Sequence, residues 1–185
     1  MRTRAFVVLA VAALALAGCG NHNLVAKVDV LSYLDASQRV TYVGDLPEGS
    51  LPEPVPVVSD MVINLVDGLG AVTARSVTLS LGGQVTVASG SGSSRLKLYL
   101  SDESTPPLAT VPVMDVPVTF SSAGPAVISA EAACDEAVAE LFTHKSLHLA
   151  VVLDDVVVAS PGVTSMTVTI GKLEAIVLAG RKAIF

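Results

Sequence analysis

Tryptophan is absent from this sequence of 185 residues, and its other aromatic residues are three tyrosines and four phenylalanines. Sugar-binding β-sheet proteins usually present exposed aromatic side chains as platforms, so the shortage disfavours carbohydrate recognition. Tyr99 could still contribute to a binding face, although packing across neighbouring strands is the more ordinary role for such a residue.

Basic residues are also scarce, because 11 lysines and arginines stand against 17 acidic residues. The chain contains no run of basic residues, and nucleic-acid binding needs clustered cations to neutralise phosphates. We therefore expect no nucleic-acid partner.

The short motifs of catalysis and cofactor binding are missing as well. There is no P-loop, no dinucleotide-binding fingerprint and no calcium-binding loop. Gly90-Ser91-Gly92 lies in a glycine- and serine-rich stretch, not in the strand-turn-helix context of a hydrolase nucleophile. We expect a non-enzymatic protein with no catalytic residue, cofactor or metal, and a catalytic site assembled from distant strands stays an alternative.

The start of the chain has the pattern of an export signal. Arg2 and Arg4 precede 13 uninterrupted apolar residues, 5–17, which are too few for a membrane-crossing helix of about 20 residues but typical of a cleaved signal. The stretch ends Leu16-Ala17-Gly18-Cys19, which resembles the lipobox of bacterial lipoproteins. The resemblance implies cleavage before Cys19 and lipid attachment to its sulfur, and two or more acyl chains would anchor the protein stably.

These features predict three segments: a cleaved signal peptide at 1–18, a lipidated anchor linker at 19–23 and a single β-sandwich domain at 24–185. We expect localisation to the cell envelope, held at the membrane through covalent lipid. Gly20, where an aspartate would retain a lipoprotein at the inner membrane, favours the outer membrane if the organism has two membranes. Without Arg2 and Arg4 the mature chain has 11 − 2 = 9 basic and 17 acidic residues, a net charge of −8, so contact with anionic headgroups is expected to be repulsive.

Apolar and polar residues alternate with a period of two through most of the remaining chain, which is typical of half-buried strands. The inward positions of the three clearest stretches are Val77, Leu79 and Leu81, then Leu96, Leu98 and Leu100, then Met166, Val168 and Ile170. Weaker alternation occurs at 28–34, 61–65, 85–87, 116–120, 147–153 and 173–178. We predict an all-β fold, an antiparallel β-sandwich of about 9–10 short strands.

One helix is predicted at about residues 130–144. Ser129 resembles an N-cap, and Cys134, Val138, Leu141 and Phe142 would form one apolar stripe. Cys134 is therefore expected to be a buried core thiol, since a lone exposed thiol would be a hazard in an oxidising compartment.

Two loops stand out. Residues 44–56 contain four prolines and three acids, which favours an extended chain, and we interpret it as a stiff crossover between sheets, with a docking strip for a partner as the alternative. Residues 89–94 are serine and glycine and are predicted to form a flexible hairpin tip.

The remaining candidates for chemistry have ordinary explanations. His144 and His148 have the spacing of metal ligands on a helix, but Leu147 and Leu149 place His148 on a strand. His22 lies in the anchor linker and is expected to be solvated. The acidic pairs Asp102-Glu103 and Asp154-Asp155 should point to opposite faces of their strands, so neither pair should converge on a substrate.

Three functions remain open. The first is an envelope lipoprotein whose non-catalytic β-sandwich works by contact with another envelope protein. The second is a carrier of an apolar ligand or lipid, suggested by the apolar share of 51%. The third is the enzyme mentioned above, and the sequence identifies no small-molecule ligand.

Overall fold

The computed structural model describes residues 23–33, 41–65, 72–102 and 105–181. Ten strands occur in these ranges: β1 (Asn23–Asp29), β2 (Thr41–Leu46), β3 (Gly49–Ser50), β4 (Val55–Asn64), β5 (Val72–Val87), β6 (Ser91–Ser101), β7 (Met114–Ser121), β8 (Ala126–Cys134), β9 (Ser146–Ala159) and β10 (Thr164–Arg181). The same ranges contain one α-helix, α1 (Glu136–Leu141), and two 3-10 helices, Val30–Tyr33 and Pro107–Ala109.

The strands form two antiparallel sheets of five strands each, which pack face to face. In sheet A the order is β10, β5, β8, with β1 and β2 lying one after the other along the free edge of β10. In sheet B the order is β9, β6, β7, with β3 and β4 along the free edge of β9. This arrangement confirms the predicted all-β sandwich with one helix.

The core lies between the two sheets and draws on both. The inward positions predicted in β5, β6 and β10 are all buried, as the two-residue period requires. They join one apolar cluster with Phe120 of β7 and Phe142 after α1. In the described part of the chain, no helix is both long and apolar enough to cross a bilayer.

The predicted helix is shorter than expected and begins later. Residues 130–134 are the end of β8, where Ala130, Ala132 and Cys134 pack against the core. Asp135, not Ser129, is the N-cap, because its side chain accepts a hydrogen bond from the Val138 amide at 3.1 Å. Cys134 is half-buried, and burial raises the pKa of its thiol.

The predicted flexible tip at 89–94 is also wrong for four of its six residues. Residues 91–94 belong to β6, and only 88–90 turn the chain between β5 and β6. Gly90 has a φ of +74°, which glycine adopts without strain. A side chain at Gly92 would lie 2.2 Å from the Val157 carbonyl oxygen, so this glycine is needed for close packing of strands.

Two pairs of predicted strands are single long strands. β5 runs through Gly82-Gly83, and β10 runs through Gly171 with a bulge there. The strand predicted at 28–34 lies earlier, as β1, and a 3-10 helix follows it. Residues 44–56 carry the chain from β2 in sheet A to β3 and β4 in sheet B, as the crossover hypothesis predicted.

Candidate functional site

A ladder of paired charges lies on the outer face of sheet B. Since Leu96 and Leu98 point into the core, Arg95 and Lys97 on the same strand point outward. Their partners are Asp115 on β7 and Asp154 on β9. We call these four residues, Arg95, Lys97, Asp115 and Asp154, the charged ladder.

The pairs of the charged ladder run diagonally. Arg95 lies opposite Asp154 and Lys97 lies opposite Asp115 in the strand register, but each cation reaches the other acid. Arg95 donates from Nε to Asp115 Oδ1 at 2.9 Å and from Nη2 to Oδ2 at 2.9 Å, which is the bidentate arrangement that fixes a guanidinium most firmly. Lys97 Nζ donates to Asp154 Oδ2.

These pairs favour the charged forms of Asp154, Lys97 and Arg95. The hydrogen bond from Lys97 lowers the pKa of Asp154 below its ordinary value, and the same bond raises the pKa of Lys97. The hydrogen bond to Asp115 likewise raises the pKa of Arg95. The ladder is therefore a fixed pattern of opposite charges on a stiff sheet.

Asp155 breaks the alternation of β9. The prediction that Asp154 and Asp155 point to opposite faces of their strand is therefore wrong. Its φ is +50°, and the register with β6 shifts at this point, so the strand has an extra residue here. Asp155 is exposed while Val156 is buried, and both Asp154 and Asp155 act on Arg95. The two carboxylates thus lie on the same side of sheet B, although Asp154 is engaged by Lys97 and by the Asp155 amide at 3.0 Å.

The two candidate histidines are on different elements. His144 is exposed in the turn after α1, and His148 lies on β9 with its Nδ1 2.9 Å from Asp60 Oδ1. The described ranges bring no three potential metal ligands together. The spacing of four therefore does not correspond to one helix face.

Of the remaining acidic, histidine and cysteine candidates from the sequence, Asp102 lies in the described ranges and three lie outside them. Asp102, at the end of β6, has an interaction partner. Cys19, His22 and Glu103 lie outside the described residues. Arg95, Lys97 and Asp115 were missed as candidates: the alternation in β6 places the first two outward, but their pairing depends on a register between distant strands.

Sheet A presents a different outer face. Hydroxyl residues of β5 and β10 occupy much of it, and Ser80 Oγ donates to Glu131 at 3.2 Å. In the second half of β1, Lys27 Nζ lies 2.9 Å from Glu174 Oε1, and Lys172 Nζ lies 3.3 Å from Glu174 Oε2. The hydrogen bonds from Lys27 and then Lys172 lower the pKa of Glu174.

Comparison with known proteins adds only distant similarities. No protein-family model and no curated protein matches the chain. Among solved structures, that of the infectious bursal disease virus Gx strain matches 88% of this chain at 10% identity and a TM-score of 0.36, and the chain spans 37% of that protein. The N-terminal cellulose-binding domain of Cellulomonas fimi β-1,4-glucanase C matches 76% of this chain at 11% identity and a TM-score of 0.33, over 91% of that domain.

Proposed function

We propose that this protein is a bacterial lipoprotein, anchored in the envelope through lipid on Cys19, whose β-sandwich is a non-catalytic module that binds another envelope protein. The anchoring half rests on the apolar stretch at 5–17 followed by Leu16-Ala17-Gly18-Cys19. Two or three acyl chains on one residue hold a protein at a bilayer without further contacts.

The proposal that the β-sandwich binds another envelope protein rests on the charged ladder. A row of opposite charges fixed on a rigid sheet loses little conformational entropy when a partner binds, and it selects partners with a complementary pattern. Asp155 and Tyr99 flank the ladder, and Tyr99 is close enough to act on the charge of Lys97. The interior supports this proposal over a carrier of an apolar ligand. A carrier would expose core side chains to a cavity, whereas Leu79, Leu98 and Met166 are each at most 1% exposed.

The anchor is tested by replacing Cys19 with serine in the full chain. We expect wild type to gain the mass of the acyl groups and to fractionate with membranes, and Cys19→Ser to lose both properties. Cys134→Ser is the matched control, since it removes the other cysteine of the chain and should remain acylated. An unchanged mass and distribution for Cys19→Ser would refute the anchor.

The contact surface is tested by photo-crosslinking in cells. A photoreactive residue at Thr119, exposed on β7 beside the ladder, should give one discrete crosslinked product, whereas one at Val127, which is 80% exposed on sheet A, should give none. The product should disappear in Lys97→Glu and persist in the control Lys145→Glu, which lies in the exposed turn after α1. Equal crosslinking from Thr119 and Val127, or a product insensitive to Lys97→Glu, would contradict the proposal.

A further inference from the structure

Three apolar side chains form a corner on the outer face of sheet A. Val25 of β1 lies directly opposite Leu178 of β10, and Ile176 is the next outward residue along β10. Val25 is 64% exposed and Ile176 is 43% exposed, while Leu178 is half-buried. We call Val25, Ile176 and Leu178 the apolar corner.

Cationic side chains surround the apolar corner. Lys27 lies opposite Ile176, and the side chains of Lys27 and Lys172 are 60% and 50% exposed. Both ammonium groups share one carboxylate, that of Glu174. Arg75 lies over Gly180, with its Nε 3.0 Å from the position that a side chain there would occupy.

The local charge around the apolar corner differs from the net charge of the mature chain. Asp29 lies opposite Glu174 in the register and accepts a hydrogen bond from the Leu31 amide at 3.2 Å. Glu131 lies on the same row of the outer face, across Ser80 from Glu174. Lys27, Lys172 and Arg75 therefore balance the three acids Asp29, Glu174 and Glu131, in a mature chain whose net charge is −8 (9 basic and 17 acidic residues). Exposed lysines beside apolar side chains are the composition that binds at the boundary between headgroups and acyl chains.

The position of the corner along the chain brings it close to the anchor. β1 begins at Asn23, four residues after Cys19, and four extended residues reach at most about 14 Å. Val25 is only two residues further along. Lipid on Cys19 would thus hold this end of sheet A within reach of the headgroups.

We propose that the apolar corner rests on the lipid bilayer, with Val25 and Ile176 inserted among the headgroups and with Lys27 and Lys172 against the phosphates of anionic phospholipids. The inference rests on the proposed lipidation of Cys19. It gives the anchored domain a fixed orientation, in which sheet A faces the membrane and the charged ladder of sheet B faces away from it. The repulsion expected from the net charge is then reduced, because cations and acids balance on the surface nearest the membrane and the excess acids of the chain lie elsewhere.

A depth measurement tests the orientation. Full-length acylated protein carrying Cys134→Ala receives one new cysteine, either Ile176→Cys or Val157→Cys, and each is labelled with an environment-sensitive fluorophore. Val157 is the matched control because it is also 43% exposed, but on the outer face of sheet B. In vesicles of phosphatidylcholine and phosphatidylglycerol containing spin-labelled lipid, we expect loss of most of the fluorescence at position 176 and of little at position 157.

Equal quenching at the two positions would overturn the proposal. It would also be overturned if the labelled protein showed no quenching at 176 and the unlabelled Ile176→Cys protein, treated with a mild thiol oxidant, formed a disulfide between two copies, which would assign the corner to a second copy of the chain. Val25→Cys gives an independent reading from β1 and should be quenched like position 176. Lys27→Gln with Lys172→Gln should weaken quenching at 176 in vesicles with phosphatidylglycerol, and Lys145→Gln, in the exposed turn after α1, should not.

Intact mass separates the two proposals. Acylated protein that shows no quenching at 176 contradicts the apolar corner alone. Protein that carries no acyl mass contradicts the anchor, and the orientation then fails with it.

Discussion

Gly92 shows how one residue controls the packing of three strands. A methyl group there would lie 2.2 Å from the Val157 carbonyl oxygen of β9 and 2.6 Å from the Phe120 ring of β7. Phe120 is 2% exposed and cannot move aside without disturbing the core. We predict that Gly92→Ala lowers the free energy of unfolding by about 1–3 kcal/mol, measured by urea denaturation.

Gly124 is the matched control for Gly92. It lies in the turn between β7 and β8, and a methyl group there would meet nothing within 4 Å. Gly124→Ala should change the free energy of unfolding by less than about 0.5 kcal/mol. Equal effects of the two substitutions would show that loss of glycine flexibility, rather than close packing, explains the cost at position 92.

The individual residues also show what composition can and cannot predict. The inward leucines of β6 were predictable because a two-residue period is a local property of the sequence. Gly92 was assigned to a flexible tip, since its serine and glycine neighbours have no apolar pattern. Its strand is instead specified by Val157 and Phe120, which are distant in sequence.

At the level of elements, the start of α1 is decided by tertiary contacts and not by the local helix preference of the sequence. Asp135 accepts from the Val138 amide and is the only N-cap that the structure supports for this helix. We predict that Asp135→Ala costs about 1 kcal/mol of stability. Ser129→Ala, at the cap suggested by the sequence, should cost much less because Ser129 is exposed in β8; the reverse order in thermal unfolding would contradict the observed helix start.

The sequence indicated a helix from residue 130 because Ala130, Glu131, Ala132 and Ala133 all favour one or tolerate it. Pairing with β5 decides otherwise, since residues 126–134 form a continuous ladder with 77–85. Alanine is small enough to alternate against the core as well as to line a helix. Helix propensity is a weak preference that such pairing overrides.

The pairing of β6 with β9 should make stability depend on pH through Asp154. Its pKa is lowered in the folded state, so its contribution is present above the ordinary value near pH 4 and is lost as the pH falls through the lowered value. We predict that Asp154→Asn is less stable than wild type by about 1 kcal/mol at neutral pH, and that the difference disappears in strong acid.

Urea denaturation across the acidic range measures this difference. Glu53→Gln, in the exposed crossover from sheet A to sheet B, provides the control and should match wild type at every pH. A deficit of Asp154→Asn that stays constant on acidification would mean that lost packing, rather than the ion pair with Lys97, causes it.

On the scale of the whole molecule, the architecture was predictable and the surface was not. Nine or ten alternating segments suffice to indicate two facing sheets, because each segment must bury one face. The charged ladder needs the register of β6 against both β7 and β9, which joins Arg95 to Asp115 and Lys97 to Asp154. From the sequence, Asp154 was therefore recognisable only as half of an adjacent acidic pair, and Asp115 was not recognisable as a candidate.

The two sheets share one core, and this makes a prediction for the whole fold. Leu79 of sheet A is 1% exposed and Leu98 of sheet B is 0% exposed. Because both belong to the same apolar cluster, Leu79→Ala and Leu98→Ala should each lower the free energy of unfolding by about 2–5 kcal/mol. Each variant should still unfold in a single transition.

Far-UV circular dichroism and tyrosine fluorescence measure that transition with different probes. Single-tyrosine variants separate the two sheets, because one that keeps only Tyr42 reports from β2 in sheet A and one that keeps only Tyr99 reports from β6 in sheet B. Val127→Ala, on an outer face, should leave both midpoints unchanged. If Leu79→Ala shifted the signal of one sheet and left the other in place, the sheets would be separate folding units, and their common core would not couple them.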